Sequence, residues 1–380
     1  MRYGPLKFIT LLSALLLLPG CVGLPVRGSV GGQTIETRVD SEVARYYLAS
    51  YLGGKRGDAP LDERIDRVYR SAHDGLPDRA ELKQLSEDFS LDFAALYLAD
   101  RIASTPVNRR FRSAFEQAHG YVRKASAEGR VILPAAAADY EVVFIPSYLY
   151  KRVPGTGADF AAPRAALHRV GLARHLVETD EDGAIEANAN LVAAAILARA
   201  HTNRRLIVVS ASKSSAEVAL ALTRLGPAET RHVAAWVNLV GTLQGTPLAD
   251  DRLLPELEDA IGKVNVAGVE SLTTQRSRQR FDTFRVPGHV LVVNYIGIPL
   301  TGSISYVARA GFVQLRNYGP NDGIGLLSDS IFPGGVTLAE LGRDHFLLNG
   351  HIEVTTVALA TTVIRWLENG DPKVSQSPAR

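Results

Sequence analysis

The sequence predicts a mixed α/β protein: a mostly parallel sheet with helices on both faces, preceded by a helical N-terminal region. Three observations carry the prediction. From Tyr140 onward, short apolar runs such as "YEVVFI", "RLIVVS", "HVAAWVNL" and "GHVLVVNYIGI" alternate with stretches of helical period. Those runs are apolar almost throughout, as strands are when helices cover both faces of a sheet. Residues 40–130 show helical period instead. The chain has 380 residues, a net charge of +2 and 46% hydrophobic residues, which suits one large domain with an appendage. No block of Lys and Arg is sustained, so nucleic acid is not an expected partner.

The chain opens with "MRYGPLKFITLLSALLLLPGC", where Arg2 and Lys7 precede an apolar run from Phe8 to Leu18. The run is too short for an ordinary membrane span and has the layout of a secretory signal. Its end, "LLPGC", resembles the lipobox of bacterial lipoproteins, which implies lipidation of Cys21. Cys21 is the only cysteine, so an exported chain has no internal disulfide to form with it. Acyl chains there imply attachment to a membrane. Val22 stands where aspartate would retain a Gram-negative lipoprotein in the inner membrane. The resemblance therefore implies the outer membrane of a bacterial envelope, facing the periplasm. The alternatives are an uncleaved anchor or a plain signal peptide with an incidental cysteine.

The expected organisation is a signal over 1–20, a Gly-rich tether over 21–39, a helical region over 40–130 and an α/β domain over 138–370. Within the helical region, "DSEVARYYLASYL" opens on a capping residue, "PLDERIDRVYRSAH" starts with Pro, and "DRAELKQLSEDFSLDFAALYLADRIAS" spaces Leu and Phe by three and four. In the α/β domain, Ala161 to Leu172 and "AIEANANLVAAAILARA" read as helices and "RHLVETD" as a weaker strand. Residues 251–285 interrupt two strands and read either as a lid or as a crossover helix with a surface loop. Residues 371–380 read as a disordered tail.

"LIVVSASKSSAEVALAL" runs from a strand into a helix with four serines at the junction. In a parallel sheet, chemistry sits where strands end and helices begin. Ser212 falls at that turn. Its frame, Ser210-Ala211-Ser212-Lys213-Ser214, has the spacing of the GxSxG nucleophile elbow with serine in both glycine positions. Ser214 can be framed in the same way, and helix capping explains the cluster without chemistry.

A nucleophilic serine needs a base, and of nine histidines only His345 and His351 follow the last long apolar strand. His345 lies in the loop "GRDHFLLNG", whereas His351 begins the helix-like "HIEVTTVALATTVIRWLEN". Between Val286 and Ser328 the only carboxylate is Asp322, in "YGPNDGIGLLS". Asp344 and Asp329 are the reserve acids.

These segments resemble the α/β-hydrolase superfamily, bacterial lipases and esterases in particular. "LVGTLQGTPLAD" is similar to the stretch after their sixth strand, "NDGIGLLS" to their acid loop and "DHFLLNG" to their histidine loop. The resemblance spans roughly residues 140–369 and implies the α/β-hydrolase fold with a Ser212, Asp322, His345 triad that cleaves ester or lipid substrates through an acyl-enzyme. It also implies an oxyanion hole made by the N–H of Lys213 and a donor from Ser147 or Tyr148. Those lipases carry His-Gly at the first strand end, where this chain has Pro146-Ser147. Tyr148 and Tyr150 are candidates for the acyl pocket. No metal-ligand spacing, Walker loop or dinucleotide fingerprint is present, so no cofactor is expected. The competing expectation is an envelope lipoprotein that keeps this fold as a binding or structural module and meets an unidentified protein partner through its helical region. A thioesterase or acyltransferase is a variant of the first reading.

Overall fold

The computed structural model describes residues 23–153, 155–251, 255, 262–348 and 351–370. Cys21, the apolar leader and the expected tail lie outside them.

Where the sequence suggested a tether, the chain forms an antiparallel hairpin, β1 (Leu24–Val30) and β2 (Gln33–Val39). The two-residue turn is Gly31-Gly32, with φ of 55° and 84°, the conformation a tight hairpin requires and glycine adopts without strain. Glycine here makes a hairpin, and the short alternation "QTIETRV" supplies its half-buried face. Five helices follow: α1 (Glu42–Ala49), α2 (Ala59–Ser71), α3 (Arg79–Asp88), α4 (Leu91–Ser104) and α5 (Pro106–Ala127). Helix α3 starts with a capping box. The Asp78 carboxylate accepts the Glu81 N–H while Glu81 accepts that of Asp78.

The body is a six-stranded, wholly parallel sheet in the order β4-β3-β5-β6-β7-β8. Its strands are β3 (Tyr140–Ile145), β4 (Ala173–Leu176), β5 (Arg205–Ala211), β6 (Val233–Leu239), β7 (Leu291–Ile298) and β8 (Val336–Leu341). The remaining α-helices among the described residues are α6 (Ala161–Arg169), α7 (Ile185–Leu197), α8 (Lys213–Glu229), α9 (Leu248–Asp251), α10 (Val266–Glu270), α11 (Thr274–Phe281), α12 (Arg309–Leu315) and α13 (Ile352–Glu368). Alternate strand residues divide between two cores. Val143, Leu206 and Val208 face α7 and α8, while Val142, Ile207 and Val209 face α5, α6 and α13. That division is why these strands read as unbroken apolar runs.

β8 is a strand the sequence did not reveal, because "VTLAEL" mixes polar with apolar residues as an edge strand does. Its outer edge is covered rather than bare. Asn108 accepts the N–H of Thr337 at 2.8 Å, and the Gln33 amide accepts from Leu341 N–H and donates to Ala339 O, both at 3.0 Å. Arg112 also donates to Ala339 O. The hairpin and α1–α5 thus close the open edge of the sheet, and a third core joins them to Ile296, Ile298 and Leu300 at the carboxyl end of β7. No described helix is long and apolar enough to cross a membrane.

Candidate active site

The chain leaves β5 and enters α8 through Ser212, whose φ of 54° and ψ of −125° lie where side chains with a Cβ are strained by about 1–3 kcal/mol. The surroundings fix this turn. Ser212 N–H donates to Leu239 O at 3.0 Å, and its carbonyl accepts from Ser215 N–H at 3.1 Å and Thr242 N–H at 3.0 Å.

The four serines of the junction separate by environment. Ser214 is fully buried; its hydroxyl donates to Ile145 O at 2.9 Å and accepts the Ala211 N–H at 3.0 Å. Ser210 is also buried, accepting the indole N–H of Trp236 at 2.8 Å and meeting Ser215 Oγ at 3.1 Å. Serine therefore replaces glycine at both elbow positions without disturbing the turn, because each hydroxyl finds a partner inside. Only Ser212 of the four reaches the adjoining cavity. Its Oγ lies 3.2 Å from Thr242 Oγ1, a neighbour that the sequence analysis did not single out.

His345 follows β8 and lines the same cavity. Its Nδ1 lies 2.8 Å from Asp322 Oδ2. A carboxylate only accepts, so Nδ1 carries the hydrogen and Nε2 is left as the basic nitrogen of the neutral ring. Asp322 is buried, and its Oδ1 accepts the N–H groups of Ile324 at 3.0 Å and Gly325 at 2.8 Å. His345 N–H donates to Asp322 O at 3.0 Å, which ties the two loops together by backbone as well. Gly323 in the acid loop has φ of 93°, and a Cβ there would meet Ala308 Cβ and O at 2.7 Å. Only glycine fits that position.

The reserve residues have other partners. Asp344 accepts the N–H groups of Ser305 at 2.7 Å and Phe346 at 3.1 Å. Asp329 pairs with Arg79 of α3 at 2.7 Å. His351 precedes α13 on the exposed surface.

The oxyanion candidates divide likewise. Lys213 is the first residue of α8, where a backbone N–H has no partner within its own helix. Ser147 N–H donates to Ala158 O at 2.9 Å, which removes it as a free backbone donor. Tyr148 lines the cavity, and among the described residues nothing accepts its N–H. Its hydroxyl is buried with no hydrogen-bond partner among the described residues, and burial pushes its pKa up. Tyr150 is elsewhere occupied, donating to Thr179 O at 3.1 Å. The Lys213 side chain turns under the elbow and forms a buried ion pair with Glu217.

The cavity has a volume of about 480 Å³ and an apolar lining. Among the described residues, the non-glycine residues with positive φ are Leu149, Phe160, Ser212, Val240 and Leu347, and every one of them lines this cavity. Backbone strain of this kind concentrates at functional sites. A larger and more open groove lies between α2 and α3, away from the strand ends. Among the described residues, no group of three or more His, Cys, Asp or Glu side chains is arranged to hold a metal ion. In the 251–285 segment, residues 262–285 are pinned to the body. The buried Arg280 donates to Ser271 O at 3.0 Å and to Glu186 at 2.8 Å, and Asn265 N–H donates to Asp182 at 2.9 Å. A lid would rest on residues 252–254 and 256–261, which lie outside the described residues.

No protein-family model matches the chain, and no curated protein matches it. Among solved structures, the metagenomic carboxyl esterase MGS0156 covers 63% of this chain and 79% of its own, at 22% identity and a TM-score of 0.51. The propeptide form of Bacillus licheniformis lipase BlEst2 covers 66% of this chain at 22% identity and a TM-score of 0.50. The match spans 54% of that lipase. With the parallel sheet, its two helical layers and the strained strand-to-helix turn, these likenesses show that the chain has the α/β-hydrolase fold.

Proposed function

We propose that this chain is a serine hydrolase of carboxylic esters. The observation that carries the reading is a strained serine at the end of β5 opening into the same cavity as a histidine backed by a buried aspartate. The carboxyl esterase and lipase named among the structural likenesses fit it.

In this reading His345 Nε2 takes the Ser212 proton as Oγ attacks the ester carbonyl, and the negative oxygen faces the N–H groups of Lys213 and Tyr148. Collapse breaks the bond to the leaving alkoxide, which receives the proton from His345. Water then gives a proton to His345 and its oxygen to the acyl carbon; the acid departs as the proton returns to Ser212. Asp322 holds the ring in the tautomer this cycle needs and stabilises the imidazolium. In the free enzyme Ser212 Oγ lies 3.2 Å from Thr242 Oγ1, in keeping with catalytic hydrogen bonds that tighten only when substrate binds.

Lipid attachment at Cys21, holding the enzyme on the periplasmic face of a bacterial outer membrane, is part of the proposal and rests on the leader sequence. The test of the chemistry is pre-steady-state hydrolysis of p-nitrophenyl butanoate. A burst equal to the enzyme concentration, absent from Ser212→Ala, is expected; equal turnover by both proteins would overturn the reading.

A further inference from the structure

The cavity does not stop at Ser212. Its strand-derived lining lies on one face of the sheet, at alternate residues: Val142 and Phe144 on β3, Ile207 and Val209 on β5, Val237 on β6. That face is the one covered by α6 and α13. Ile207 precedes Ser212 by five residues, so at a parallel-strand rise of roughly 3.3 Å the cavity reaches ~16 Å back from the elbow. Helix α13 gives the same depth independently. It lines the cavity with one stripe, Ile352, Thr355, Thr356, Leu359, Ala360 and Val363, and eleven steps at 1.5 Å span roughly 16 Å.

The two ends differ. Leu348 and Ile352 stand exposed at the mouth beside the histidine loop. The far end is closed by Val142 and Val363, both buried. Among the described residues the lining has one ammonium, that of Lys213, and it is paired with Glu217. Thr356 turns its hydroxyl back to Ile352 O at 2.7 Å. A depth of this size holds about twelve carbons of an extended chain, at roughly 1.25 Å per carbon for a zigzag of ~1.5 Å bonds.

We infer that this space is an acyl tunnel running under α6 and α13, and that the substrate is an ester of a fatty acid of about twelve carbons whose methyl end reaches Val363. The inference rests on the serine hydrolase reading above. It further makes Ala360 and Val363 the residues that set chain length. Ala360 lies eight residues along α13 from Ile352, about 12 Å in, so a phenyl group there blocks the last quarter of the tunnel.

The test is kcat/KM for p-nitrophenyl esters of two to eighteen carbons, each below its micellar concentration. For the wild type, burial of a methylene is worth at most about fourfold in kcat/KM; at about twofold each, the eight methylenes from butanoate to dodecanoate should raise it roughly 250-fold, with no further gain beyond about twelve carbons. Ala360→Phe should move the optimum to about nine carbons and lower the dodecanoate-to-butanoate ratio at least tenfold. Val363→Ala should move it to fourteen or more. Leu191→Phe, exposed on α7 on the opposite side of the sheet, should leave the series as it is. Opposite shifts from two variants are not produced by misfolding, and the wild-type series decides alone if either variant fails to fold. A series that is flat or falls beyond four carbons, in an enzyme that turns over butanoate through Ser212, would overturn the tunnel and leave the hydrolase reading standing. Absence of both turnover and labelling at Ser212 would overturn both.

Discussion

Glu217→Ala is the perturbation that reports most about how the elbow is supported. Lys213 and Glu217 lie one turn apart at the start of α8, each side chain 2% exposed, with the Lys213 ammonium bonded to Glu217 Oε1. Asn188 Nδ2 donates to the same oxygen at 2.9 Å and also to Asp180 O at 2.8 Å. Removing the carboxylate leaves Asn188 one acceptor but strands the ammonium against the face of Tyr148, 5.8 Å from the ring centre. Breaking a buried pair from one side costs about 3–5 kcal/mol. At about 2.1 cal/mol/K of unfolding entropy per residue, a chain of this size shifts by roughly 1.4 °C per kcal/mol, so Tm should fall by roughly 4–7 °C. The assay is thermal and urea unfolding, with ester turnover at 25 °C alongside. Lys213→Met combined with Glu217→Ala should recover most of the loss, because a buried ion pair replaced by apolar side chains is close to neutral. Turnover should recover with it, since Lys213 is proposed to act through its backbone N–H. A fall under about 1 kcal/mol for Glu217→Ala, or a double variant as unstable as the single, would refute this reasoning.

Three further outcomes are expected. Asp322→Asn should lower kcat about a thousand- to ten-thousandfold with little change in KM, because an amide donating to Nδ1 moves the ring hydrogen to Nε2 and removes the base; steady-state kinetics of the folded variant checks it. Arg79→Ala should destabilise the chain by roughly 2–3 kcal/mol by leaving the buried Asp329 carboxylate without its guanidinium, with part of that recovered by adding Asp329→Asn, as urea midpoints will report. Asp92 is pushed up from 3.8 to about 7, first by burial and then by the Asp40 carboxylate. Between those values the native state holds a proton that the unfolded chain has lost, so stability falls as pH rises from about 4 to 7 and levels off above. Asp92→Asn should remove that slope from the difference between urea midpoints at pH 5 and pH 8.

The parts of this molecule legible in the sequence are those in which one residue type has one use. Strands β3, β5, β6 and β7 are buried on both faces and announce themselves as apolar runs. Asp322 and His345 stood out because few residues of their type follow the last of those runs, and the fold brings the two within hydrogen-bond distance. The hairpin was hidden because Gly31 and Gly32 serve a tight turn as well as they serve a linker. β8 was hidden because its edge is satisfied by Gln33 and Asn108, far away in the chain. Thr242 and the stripe on α13 belong to the cavity only through tertiary packing, and helical period alone does not say which apolar face borders empty space. The serine cluster lies between these cases. The sequence offered both Ser212 and Ser214 as elbow residues and favoured Ser212 because it follows the strand directly; the structure separates them, burying Ser214 on Ile145 O and opening Ser212 to the cavity.

The most direct test of the account is fluorophosphonate labelling of the chain lacking residues 1–21, with the modified peptide mapped by mass spectrometry. The account predicts one adduct, on Ser212, lost in Ser212→Ala and slowed in Asp322→Asn. A folded protein that takes no label, or takes it on Ser214 or another serine, would contradict it.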